Sequence, residues 1–87
     1  MRAVARGGGT LPRYFLNTRR RGVLIRDEEG DELPDLDAAR GLALAILREM
    51  LRLPHVYGAP RKWRHDVFVI TDEAGTALAE VPCDTLL

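Results

Sequence analysis

Residues Arg26 to Leu51 read RDEEGDELPDLDAARGLALAILREML. This passage decides the fold class, because it joins an acidic turn, a helix start and a long amphipathic helix without a break. The acidic segment turns at Gly30 and runs extended through Glu32-Leu33, since the residue before Pro34 is pushed out of the helical region. Asp35 takes the N-cap position, where its carboxylate accepts from the free N–H groups of the first turn. Asp37 adds a second negative charge at the positive end of the helix dipole. From Leu36, the apolar residues Ala39, Ala43, Ile46, Leu47 and Met50 recur at three- and four-residue spacing and form one stripe. Asp37, Gly41, Arg48 and Arg52 lie opposite, and Pro54 closes the helix.

Upstream, Pro12 opens a first strand, Arg13–Asn17. Thr18–Arg21 is expected to turn, with Arg19, Arg20 and Arg21 hydrated at the tip, and Gly22 leads into a second strand ending at Arg26. Downstream, Pro54, Gly58 and Pro60 mark Leu53–Lys62 as a loop. A third strand, Asp66–Thr71, and a fourth, Thr76–Val81, flank the turn Asp72-Glu73-Ala74-Gly75, where Gly75 supplies a positive φ. Ile25–Gly30 and Ile70–Gly75 both read I-x-D-E-x-G, which is one turn used twice and not a solenoid repeat. The element order ββαββ predicts an α+β fold. Its four-stranded antiparallel sheet takes the order 2-1-3-4, with one amphipathic helix on one face. Residues 12–87 form the single domain. Residues 1–11, with Gly7-Gly8-Gly9, read as a flexible tail.

Val23-Leu24-Ile25 and Val67-Phe68-Val69-Ile70 are apolar at consecutive positions. Strands with this pattern carry hydrophobic groups on both faces, and a single helix covers only one. Something else is therefore expected to cover the second face, most simply a second copy of the chain packed sheet to sheet or edge to edge.

The net charge is zero with 30% charged residues, which argues against a wholly basic nucleic-acid binder or a disordered tail. The charge is nevertheless blocked. Seven arginines and no acid occupy Met1–Arg26, and seven acids and no base follow in Asp27–Asp37. Cys83 is the single cysteine, so no intrachain disulfide forms, and a reducing, cytoplasmic setting is expected. Gly41–Leu47, the longest charge-free apolar run in the helix, falls far below the roughly 20 residues needed to span a bilayer, so no membrane partner is expected.

From Arg13 onward, the motifs Arg13-Tyr14-Phe15, Asp27-Glu28-Glu29-Gly30, Glu32-Leu33, Asp35-Leu36, Ala38-Ala39-Arg40, Asp72-Glu73-Ala74-Gly75 and Val81-Pro82 succeed one another along the chain. The set resembles a family of short bacterial proteins known only as a domain of unknown function, whose members begin at about Pro12. That resemblance implies a cytoplasmic bacterial protein without an assigned activity, and it brings no catalytic residues across.

No residue set assembles a catalytic site. His55, His65 and Cys83 lack the short paired spacing of a structural zinc site, and a lone Cys with two His is no nucleophile pair. The acids Asp27–Asp37 lack the calcium-loop spacing, and Gly7-Gly8-Gly9 has neither a strand before it nor a Gly-Lys-Ser/Thr after it. No cofactor or metal is expected. The nearest thing to a ligand surface is basic: Arg13, Arg19, Arg20, Arg21, Arg61, Lys62 and Arg64, with Tyr14, Tyr57 and Trp63 nearby, form a candidate anion or nucleic-acid surface. Structural duties fall to Asp35, Gly30, Gly75 and Arg40. The last is expected to lay its stem on the core and reach a carboxylate such as Glu32 or one on the second hairpin, and Trp63 is expected to act as a core lid. The sequence thus favours a non-enzymatic module working through protein contact as a homodimer. A nucleic-acid-binding or antitoxin-like regulatory module is the alternative, and an enzyme the weakest reading.

Overall fold

Asp35 starts the helix as its chemistry dictates. In the computed structural model it is extended at φ −161°, ψ 177°, and its Oδ1 accepts from the Ala38 N–H at 2.8 Å. The structure describes residues 11–87. Of the segment read as a tail, residues 1–10, including the glycines rejected as a phosphate loop, lie outside them. Helix α1, Leu36–Arg52, buries Ala39, Ala43 and Leu47 completely, one per turn. The two alanines have no side chain beyond Cβ to hold the helix off the sheet. It settles onto a core of Trp63, Phe68, Ile70, Val81 and Cys83.

The sheet is antiparallel: β1 (Arg13–Arg20), β2 (Val23–Ile25), β4 (Val67–Thr71) and β5 (Ala77–Pro82) lie in the order β2-β1-β4-β5. That reproduces the expected order of the four main strands. A fifth, two-residue strand, β3 (Asp31–Glu32), is additional, and it pairs with β1 on the same edge as β2. Had the pairing of Thr18 with Ile25 continued in step, Arg13 would face Gly30. It faces Glu32, so the acidic turn between β2 and β3 inserts two residues.

Three local expectations are corrected. The first strand does not end at Asn17 but runs to Arg20, so Arg19 and Arg20 stand within it. The hairpin turns on Arg21 and Gly22 alone, both at positive φ (53° and 78°), the pattern of a type I′ turn whose twist matches that of the strands. The stretch Leu53–Lys62 is no plain loop. Pro54 opens a helical turn, α2 (Pro54–Tyr57), and Pro60 a 3₁₀ turn to Lys62, each proline sitting where its missing N–H costs nothing. Arg40, finally, is exposed and makes no ion pair among the described residues: Glu32 is held by Arg13 at 3.2 Å, and Glu80 of the second hairpin by Arg19 at 2.9 Å. Trp63 is the core lid the sequence suggested, 2% exposed, with its Nε1–H donating to Gly58 O at 3.2 Å.

Candidate functional site

Alternation along β1 and β4 separates two faces. Leu16 opposite Ile70 and Thr18 opposite Phe68 point toward the helix, whereas Phe15, Asn17, Arg19, Val67, Val69 and Thr71 face away from it. The far face of β4 is covered by its own chain. Arg19 on β1 grips Glu80 on β5 through two bonds of 2.9 Å, and since β4 lies between those strands, the bridge crosses it at Val67 and Val69. Val69 is only 5% exposed as a result. The Arg19 guanidinium holds the Glu80 carboxyl below its ordinary range.

Asn17, a polar residue 5% exposed in the middle of β1, was not singled out from the sequence. Its Nδ2 donates to Val69 O and Thr71 Oγ1, both at 3.0 Å, and its Oδ1 accepts from the Asp27 N–H at 3.0 Å. Asp27 reciprocates: its Oδ2 accepts from the Leu16 N–H at 3.1 Å, and its Oδ1 takes the amides of Glu29 and Gly30. Side chains thus carry the β1 ladder across the two inserted residues. The only sequence signal was an Asn among strand formers. Gly30 must be glycine here twice over. Its φ is +67°, and a Cβ would lie 2.8 Å from both the Phe15 ring and Tyr14 O. The second D-E-x-G turn works alike, with Asp72 Oδ1 accepting from the Ala74 and Thr76 amides at 2.9 Å and Gly75 at φ +83°. Both turns border one cleft of ≈ 320 Å³ beside Phe15 and Asn17.

The seven basic candidates do not form a single surface. Arg13 sits at the far end of β1, tied to Glu32 and to Glu29 O, and Arg64 lies exposed outside the basic cleft. The other five border one cleft, with the Arg19 guanidinium turned to Glu80 on the far face. Arg19, Arg20, Arg21, Arg61 and Lys62, with His65, line a cleft of ≈ 340 Å³ between the β1–β2 turn and the 3₁₀ turn. Arg20 is fixed there by Asp66, a carboxylate buried to 8% exposure that takes Nε at 2.9 Å and Nη2 at 2.6 Å. The neighbouring carboxylate also holds Arg20 more firmly in its protonated form. Cys83 is packed beside the same Asp66. Burial, reinforced by the charges of Asp66 and Asp84, pushes its thiol up to about 11. Among the described residues, no group of three or more His, Cys, Asp or Glu is arranged to hold a metal ion, and no helix is long and apolar enough to cross a membrane.

The third feature is β2 itself. Val23, Leu24 and Ile25 are 63%, 44% and 51% exposed on a strand with no neighbour on its outer side among the described residues. In a hairpin closed by a two-residue turn, Arg20 and Val23 exchange both backbone bonds, so the N–H and C=O of Leu24 point outward.

These elements coincide with a known family pattern: residues 13–84 match the family described as Domain of unknown function (DUF6894). The chain belongs to that family. The match starts on the first residue of β1, ends just past β5, and takes in both D-E-x-G turns, the helix and the basic cleft. No curated protein and no solved structure matches the chain.

Proposed function

We propose that this member of the DUF6894 family is a non-catalytic, cytoplasmic module that works through protein contact, and that its β2 edge pairs with β2 of a second copy. The supporting observation is the outward-facing backbone of Leu24, set between two exposed aliphatic side chains on an open edge. Antiparallel pairing about a two-fold axis through Leu24 exchanges both Leu24 backbone bonds between the copies. Val23 then lies against Ile25 of the partner subunit.

The charge blocks fit the same register. Arg21 stands three residues before Leu24 and Asp27 three after, with Arg26 carrying the basic block up to that acid. Two-fold pairing therefore brings the Arg21-Gly22 turn of one copy toward the acidic turn that follows Ile25 in the other. Parallel pairing in step would stack like charges instead. The contact is small, so the dimer is reversible and concentration-dependent in the micromolar range. A catalytic reading finds little support, since the sole cysteine is buried and protonated at neutral pH.

Light scattering on the purified chain tests the proposal. The expected mass rises toward twice 9.7 kDa with concentration, and Leu24→Lys returns it to 9.7 kDa with the fold intact. A wild-type mass fixed at 9.7 kDa up to the highest soluble concentration would overturn it.

A further inference from the structure

Apart from Arg21, whose turn the edge pairing approaches, the basic cleft has no duty in that pairing, and its construction is that of an anion site. Arg19 and Arg20 are matched by Glu80 and Asp66. Arg21, Arg61 and Lys62 make no ion pair among the described residues, yet they face the same ≈ 340 Å³ space. Like charges converge this way at a cost unless an anion sits between them.

Arg20 is the fixed point of the cleft. The buried Asp66 engages its Nε and Nη2, which aligns the guanidinium plane and leaves Nη1 unclaimed among the described bonds. Two elements distant in sequence complete the ring. The type I′ turn brings Arg21, and the 3₁₀ turn Pro60–Lys62 brings Arg61 and Lys62, with His65 at its border. Planar arginine forks suit the oxygens of a phosphate better than a single carboxylate, and three unmatched cations call for more than one negative charge.

We infer that the cleft between the β1–β2 turn and the 3₁₀ turn is a binding site for a small phosphate-bearing anion of two or more charges, of diphosphate to mononucleotide size. The volume lies at the small-molecule end of ligand pockets. A nucleic-acid strand is the poorer match. The cations gather in one hollow instead of following a track, Arg13 and Arg64 lie outside it, and the acids Asp27–Glu32 border the edge beyond β2.

The test is titration of the isotope-labelled full chain with inorganic pyrophosphate, followed by amide chemical shifts at constant ionic strength. Saturable shifts confined to Arg20–Gly22 and Arg61–Val67 are expected. The double variant Arg61→Ala/Lys62→Ala should weaken binding at least about tenfold, since each lost bond is charge-assisted. Arg13→Ala/Arg64→Ala should leave it within about twofold, because those side chains do not reach the anion. Lys62→Glu, on an exposed turn, gives a second variant should the double change disturb the fold. Shifts that fail to saturate, that sodium chloride reproduces, or that survive both cleft variants would overturn the site. A single-stranded oligonucleotide, titrated in parallel, separates the sources of phosphate. Binding weaker than that of pyrophosphate agrees with the small-anion site. Tighter binding that falls steeply with salt and needs Arg13 and Arg64 would overturn it in favour of a strand.

Discussion

Val23-Leu24-Ile25 and Val67-Phe68-Val69-Ile70 are the same kind of sequence, consecutive aliphatic and aromatic residues with strong strand preference, yet they meet opposite fates. In β4, Phe68, Val69 and Ile70 are all buried, whereas every residue of β2 is exposed. The difference is made entirely by neighbours. On one face β4 lies under the alanines of α1, and on the other under the Arg19–Glu80 bridge, with Asn17 beside it. β2 lies beyond the reach of both and, among the described residues, has β1 on one side only. A run of apolar residues therefore states a demand for cover without saying what supplies it.

The sharpest way to break this comparison is to remove one side chain from each run. Ile70, with no exposed surface, should cost about 2–5 kcal/mol as Ile70→Ala, read as a shift in denaturant midpoint at constant slope. Ile25→Ala, measured where the chain is monomeric, should stay within about 0.5 kcal/mol. Equal losses would mean that β2 is as well packed as β4.

Asn17 tests the polar cover next. Asn17→Ala orphans the Asp27 amide and withdraws donors from Val69 O and Thr71 Oγ1. The expected loss is about 1–3 kcal/mol, with faster amide exchange at Asp27. On the helix side, Asp35→Ala removes the cap that seats α1 over β4 and should cost about 0.5–2 kcal/mol.

Cys83 gives a subtler probe of the same buried side. Its folded value, about 11, lies above the 9.0 of the free thiol, so between those values the folded state holds a proton that the unfolded chain has released. Stability is therefore complete below pH 9, falls as pH climbs toward 11, and levels off above. The loss approaches about 3 kcal/mol, and Cys83→Ala should abolish that component. A pH dependence identical in both proteins would show that the thiol is not held protonated by its surroundings.

Helix α1, its cap and the two D-E-x-G turns were legible because each rests on bonds between residues a few positions apart, such as Asp35 to Ala38 and Asp72 to Thr76. Arg19 and Arg20 were misplaced at a hydrated tip because their partners, Glu80 and Asp66, stand 61 and 46 residues away, and nothing local announces such pairs. Arg40 failed in the converse sense. It was expected to reach Glu32 or a carboxylate on the second hairpin, but Arg13 holds the first across the β1–β3 pairing and Arg19 holds Glu80. The helical turns after α1 carried a readable mark, a proline at the first position of each. The basic cleft required both corrections, since it forms only when the extended β1 carries Arg20 and Arg21 up to the 3₁₀ turn.

The outward-facing Leu24 amide puts the edge claim to its most direct test, through hydrogen exchange followed across a range of protein concentrations. Pairing of β2 with a second copy predicts that Leu24 exchanges freely when dilute and becomes protected in step with the rise in mass, while Ile70 stays protected throughout. Rapid exchange at Leu24 at every concentration, including any at which the chain is dimeric, would contradict it and place the dimer contact elsewhere.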